Sequence, residues 1–134
     1  MAQIRKAVLV GHCGPDAAML RSVVTDAMPN VPVESADTAA AVAASAEEGN
    51  PLLINRVLDG EFDTDSGVEL IGRLARRDQP PKLMLISNYA YARQAAIDAG
   101  ALPGFGKAAI YQPAVTQHLR QIAAHSDDSS SSIK

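Results

Sequence analysis

Six side chains with chemical potential are spread along the chain: His12, Cys13, Asn55, Asp59, Ser87 and Lys107. His12 and Cys13 offer an imidazole and a thiol, both metal-ligand types. Zn²⁺ takes three or four protein ligands, and two adjacent residues do not make a set. His118 and His125 fall on a segment far along the chain. Cys13 precedes Pro15 at an expected helix start, where a thiolate is stabilised. It is the sole cysteine, so no second thiol can resolve an oxidised form. Gly104-Phe105-Gly106-Lys107 has part of a phosphate-loop pattern, yet Ala108 stands where Ser or Thr must open a helix. Those glycines read as relaxing a turn. Lys107 must find a partner, and Asn55 and Ser87 are the expected ones. A bound anion would serve the same need. Arg73, Arg76 and Arg77 read as the solvated end of a helix, favoured by its dipole.

The elements that must position these residues follow from the apolar pattern. Ala7 to Val10, Leu52 to Ile54 and Leu83 to Ile86 are continuous apolar runs, as in strands buried on both faces. Val31 to Glu34 and Phe105 to Ile110 are the other two expected strands. Pro15 suits a first helical position, and Leu20, Val23, Val24 and Ala27 follow at helical spacing until Pro29-Asn30. Asp37 or Thr38 caps an Ala-rich helix expected to end at Gly49. Ser66 and Glu69 have capping-box spacing before Val68, Ile71, Leu74 and Ala75. Asn88 is the expected cap of a helix ending at Gly100, and Pro113 opens a last helix bearing Val115, Leu119 and Ile122. Strand and helix thus alternate five times, which implies an α/β fold: a five-stranded parallel sheet with helices on both faces. Sites in such sheets form at the carboxyl ends of the strands. Those ends carry Gly11-His12-Cys13, Asn55-Arg56, Ser87-Asn88 and Lys107.

The 134 residues fit one domain, residues 1–124, followed by a Ser/Asp-rich segment, 125–134, expected to be disordered. Apolar residues make up 47% and aromatics 4%, so the core must be Ala, Val, Leu and Ile. A net charge of −3 argues against a general nucleic-acid binder. The first apolar run is too short for a signal peptide or a membrane span. With a single cysteine, a reducing cytoplasm is the simplest location. The starting Met and Ser-rich tail look like natural ends.

These strand-end residues bring the chain close to a known family. From about residue 5 to 124 it resembles the receiver domain of two-component response regulators, a (βα)5 flavodoxin-like fold. The resemblance rests on Val8-Leu9-Val10 with Pro15, on Gly67-Val68-Glu69-Leu70-Ile71, on Ser87 ending a strand, and on Ala99-Gly100-Ala101 leading through Gly104-Phe105 to Lys107. It implies a signalling domain rather than an enzyme, with Mg²⁺ and a phosphoacceptor Asp in members that cycle through phosphorylation. The family places two acids after the first strand, where this chain has His12 and Cys13. The acceptor Asp ends the third strand, where this chain has Asn55. Ala108 replaces the usual Pro, and Phe105 is the nearest match to the family's switch aromatic.

These departures predict a degenerate receiver. Mg²⁺ demands an octahedron of oxygens, for which imidazole and thiol are poor substitutes. An amide cannot form an acyl phosphate, so no cofactor is expected. Asp59 is the alternative acceptor, with Mg²⁺, because it precedes Gly67 by the family's eight residues. That register would put Asn55 and Arg56 inside a central strand, and an unpaired buried Arg costs several kcal/mol. The expected mode of action is therefore contact with a protein, such as a histidine kinase or a second copy of the chain. The expected surface is Tyr89, Tyr91, Phe105, Ile110 and Tyr111. A small enzyme on the same fold would need a paired acid and base beside a nucleophile, which this pattern does not offer.

Overall fold

The three central strands of the sheet are short, largely apolar runs, and each crossover between strands is a helix with one apolar face. The computed structural model describes residues 4–131, with side chains through residue 124. The elements are β1 (Ala7–Val10), α1 (Gly14–Ala27), β2 (Val33–Ala36), α2 (Ala39–Ser45), β3 (Pro51–Asn55), α3 (Gly67–Ala75), β4 (Lys82–Ile86), α4 (Ala90–Asp98), β5 (Leu102–Phe105) and α5 (Pro113–Ser131), with a 3₁₀ turn at Lys107–Ala109 before α5. All strands are parallel, in the order β2-β1-β3-β4-β5. This is the expected doubly wound α/β arrangement.

Side-chain alternation along the strands splits the core in two. Leu9, Leu53, Met84 and Ile86 pack with Leu20, Val24 and Leu119 from α1 and α5. Val8, Val10, Leu52, Ile54 and Leu85 pack with Val42, Ile71, Leu74 and Ala96 from α2, α3 and α4. Both faces are covered, as continuous apolar strands require. Among the described residues no helix is long and apolar enough to cross a membrane.

Several expected boundaries move, each for a local reason. β2 starts two residues later than expected, although Pro32 still takes part through its carbonyl, which accepts the Ala7 N–H at 2.9 Å. α2 ends at Ser45 rather than Gly49. The buried Asn50 draws the chain off the helix: its amide donates to the Ser45 carbonyl at 3.2 Å and accepts from the N–H groups of Arg5 and Lys6. β5 is Leu102–Phe105 rather than Phe105 to Ile110. It lies tight against β4, since a Cβ at Gly104 would sit 2.0 Å from the Leu85 carbonyl oxygen. The segment expected to continue it turns instead into the 3₁₀ helix. The expected disordered tail, 125–134, overlaps the last turns of α5; its side chains, and residues 132–134 altogether, lie outside the described residues.

Half of the capping box forms. Ser66 Oγ accepts the Glu69 N–H at 3.1 Å, while the Glu69 carboxylate turns to Arg73 instead of back to Ser66. Arg73 also pairs with Asp63 at 2.8 Å, so α3 is tied to the loop before it. Gly67 sets how close α3 comes to the end of β3. A Cβ there would meet the Asn55 carbonyl oxygen at 2.0 Å, a backbone atom that cannot swing aside. Gly67→Ala is expected to lower stability by about 2–3 kcal/mol, as overpacking does. Urea unfolding would check this, and an unchanged midpoint would contradict the close approach.

Candidate functional site

The carboxyl edge of the sheet is organised by Asn55, the last residue of β3. Its register opposite Ile86 places it at the strand end, as expected. Its amide Nδ2 donates to the Gly11 carbonyl at 3.0 Å and to the Val57 carbonyl at 2.7 Å. Its Oδ1 accepts the Arg56 N–H at 3.1 Å. The partners fix which atom is which, because carbonyls only accept and a backbone N–H only donates. Asn55 thus ties the ends of β1 and β3 and the following turn. Gly11 holds a positive φ of 72°, and an added Cβ would strike Leu58, whose side chain closes this turn.

A cleft of about 390 Å³ opens beside Asn55, lined by Arg56, Val57, Ile86, Ser87, Asn88, Tyr89 and Lys107. Asn55, Ser87 and Lys107 therefore converge as expected, but their bonds are not the expected ones. Lys107 pairs with neither Asn55 nor Ser87. Its ammonium donates to Asp16 of α1 at 2.6 Å, with both side chains about three-quarters buried. The Lys107 hydrogen bond, helped by the Cys13 thiol, holds the Asp16 carboxyl below the usual carboxylate range. Sequence reasoning missed Asp16, which lies 91 positions from its partner. Its place in the first turn of α1 was the available signal. Ser87 is buried, and its Oγ accepts the Tyr89 N–H at 3.1 Å. Asn88 does not cap α4. Its Oδ1 accepts the Ala108 N–H at 2.9 Å, anchoring the 3₁₀ turn, while Tyr89 stands at the helix N-cap without a side-chain cap.

His12 and Cys13 do not line the cleft. Cys13 is the N-cap residue of α1. His12 is buried, and its Nε2 donates to the Leu53 carbonyl at 2.8 Å. That bond makes Nδ1 the bare acceptor of the ring, and Nδ1 has no hydrogen-bond partner. Burial first, and the Lys107 charge to a smaller degree, lower the His12 pKa to about 4. His12 is a neutral core histidine under the sheet edge.

The oxygen set that Mg²⁺ would need is not assembled. Asn55 Oδ1 is engaged by backbone, the Asp16 carboxylate is engaged by Lys107, and His12 faces a carbonyl. Among the described residues no three His, Cys, Asp or Glu side chains are grouped to hold a metal ion. Asp59 is exposed in the loop beyond β3, with its N–H donated to the Gly11 carbonyl at 2.9 Å. Tyr89, Tyr91 and Tyr111 are exposed. Phe105 and Ile110 are not part of that surface: both are buried against α1 and α5. The earlier position of β5 turns them inward.

The sheet order, the helices on both faces and the strand-edge cleft define a flavodoxin-like receiver fold. Several solved structures share that architecture. One is the signal receiver domain of a DNA-binding response regulator from Colwellia psychrerythraea 34H, with a TM-score of 0.72, 11% identity, and coverage of 89% of this chain and 98% of that one. A response regulator receiver domain from Rhodospirillum rubrum matches at a TM-score of 0.63 and 13% identity, covering 90% and 92%. A response regulator receiver protein from Pseudoalteromonas atlantica matches at 0.62 and 18%, covering 92% and 98%. No sequence-family profile matches the chain, and no curated protein does.

Proposed function

We propose that this chain is a receiver-type signalling domain of the two-component kind that works by protein contact, without aspartyl phosphorylation. The observation that carries this reading is Asn55. It stands at the strand end where receivers keep their acceptor, and all three of its hydrogen bonds go to backbone. An amide offers no carboxylate to phosphorylate, and phosphoryl transfer depends on a metal to neutralise the charge that develops. His12 and Cys13 supply no hard oxygen ligands in the place of the family's two acids. The pair Asp16 with Lys107 would hold one fixed arrangement of the cleft. Partners would be proteins, a histidine kinase or a second copy among them, met in a reducing cytoplasm.

Amide NMR with Mg²⁺ and beryllofluoride tests this directly. No saturable shifts are expected at residues 12, 55, 59 and 107. Saturable shifts centred on Asp59 would make the chain a working phosphorelay receiver with an unusual acceptor.

A further inference from the structure

Four large apolar side chains are exposed among the described residues, and three of them crowd the carboxyl edge of β3 and β4. They are Val57, Tyr89 and Tyr91, at 49%, 51% and 69% exposure. The Tyr89 and Tyr91 rings touch, with centroids 5.5 Å apart. The Arg56 guanidinium lies over the Tyr89 ring, 4.8 Å from its centroid. Contiguous exposed apolar surface of this kind marks contact sites, and Tyr and Arg are the residues that anchor them.

The patch is flanked by clefts on both sides. One is the polar cleft of about 390 Å³ that ends at Lys107. The other, about 380 Å³, runs between α3 and α4 and is lined by Val57, Val68, Tyr91, Ala92 and Ala95, with Asp65 and Ser66 on its rim. Arg56 and Val57 line both, so the clefts meet at these two residues as a groove with an apolar half and a polar half. The Lys107 charge is met by Asp16. Among the described residues Arg56 makes no ion pair, even with Asp65, and its guanidinium has no hydrogen-bond partner. Stacking on Tyr89 holds that planar donor fork in place before anything binds, which lowers the entropy lost on pairing.

We propose that this groove binds an extended segment of a partner protein in which an apolar side chain lies next to a carboxylate. The apolar side chain would sit over Val57 and Tyr91 between α3 and α4. The carboxylate would pair with Arg56 at the mouth of the polar cleft. A second copy of the chain fits less well, because a two-fold contact through this face sets two such arginine-bearing patches against each other, and Arg56 would meet its own counterpart if it lay near the axis. The inference names the partner for the contact-based function argued above and rests on it.

Selection of a display library of random nine-residue peptides against the whole chain tests the groove. The enriched peptides should carry Asp or Glu beside Leu, Ile or Phe. Arg56→Glu and Tyr91→Ala should each weaken a selected peptide at least about tenfold, as interface anchors do. Thr25→Ala, exposed on α1 across the sheet from the groove, should leave binding unchanged. Replacing the peptide's acid by Lys should restore binding to the Arg56→Glu variant. If that variant does not fold, Arg56→Gln reads the same loss. No enrichment, enriched peptides without the acid and apolar pair, or binding indifferent to Arg56 would overturn the proposal. Beryllofluoride binding in the separate titration would sink the phosphorylation-independent reading alone, leaving the peptide result to decide the groove.

Discussion

Asn55→Asp is expected to weaken the fold instead of restoring a phosphorylation site. The change looks like a repair, since it returns a carboxylate to the end of β3. The local hydrogen bonds say otherwise. Nδ2 of Asn55 faces two carbonyl oxygens, of Gly11 and Val57. A carboxylate oxygen in that place has no hydrogen to give and sets negative charge against both carbonyls. Two hydrogen bonds are lost, each worth roughly 0.5–1.5 kcal/mol net, and two acceptors are left facing a third, so the expected loss is about 2–4 kcal/mol at neutral pH. The sign of the pH dependence follows. The site favours the protonated acid, so the introduced carboxyl has a folded-state pKa above its unfolded value. The variant is then closest to wild type at low pH and loses ground as pH rises through the usual carboxylate range. Denaturant midpoints of both proteins at pH 4 and pH 7 give the answer. A variant as stable as wild type at pH 7 would show that the amide bonds are dispensable. Saturable Mg²⁺ binding by the variant would show that the missing carboxylate alone had disabled the site.

The limits of the sequence reading have the same local origin. β1, β3 and β4 could be read because continuous apolar runs buried on both faces have one plain interpretation, and with them came the position of Asn55 at a strand end. β5 could not be placed this way. It is only four residues, Leu102–Phe105, and includes Pro103 and Gly104, while the more apolar stretch after it, through Ile110, forms a 3₁₀ turn. That shift carried Phe105 and Ile110 from the expected surface into the core. The convergence of Asn55, Ser87 and Lys107 followed from topology, since all three sit at carboxyl ends of neighbouring strands. Their bonding did not. Which carboxylate Lys107 meets depends on the rotation of α1, and whether Asn88 caps α4 depends on where the 3₁₀ turn lies. Arg56 was weighed only as a cost to be kept out of the sheet. Its contact with Tyr89 appears only once β3 and β4 are side by side.

His12 should make this fold lose stability in mild acid, between about pH 6.5 and 4. Its Nε2 is committed to the Leu53 carbonyl, so an added proton must go to Nδ1, which is buried and has no acceptor nearby to take the new hydrogen. Burial is the chief reason its folded-state pKa falls from 6.5 to about 4. The unfolded chain therefore binds this proton first as pH drops. Stability from the neutral ring is complete above about pH 6.5 and is lost as pH falls from there toward 4. A difference of this size corresponds to roughly 3 kcal/mol. The Asp16 carboxyl, held low by Lys107, adds its own loss only below the ordinary carboxylate pKa of 3.8, so the two windows are separate. Urea midpoints at half-unit steps from pH 7.5 to 4 should trace the first loss. His12→Gln keeps a donor for the Leu53 carbonyl and carries no titrating group, so its profile should run flat over the same range. If the variant folds poorly, the His12 ring resonances of the wild type report directly: they should hold their neutral positions down to about pH 5. A normal imidazole titration near 6.5 would mean that water reaches Nδ1 and that the edge of the sheet is open at β1.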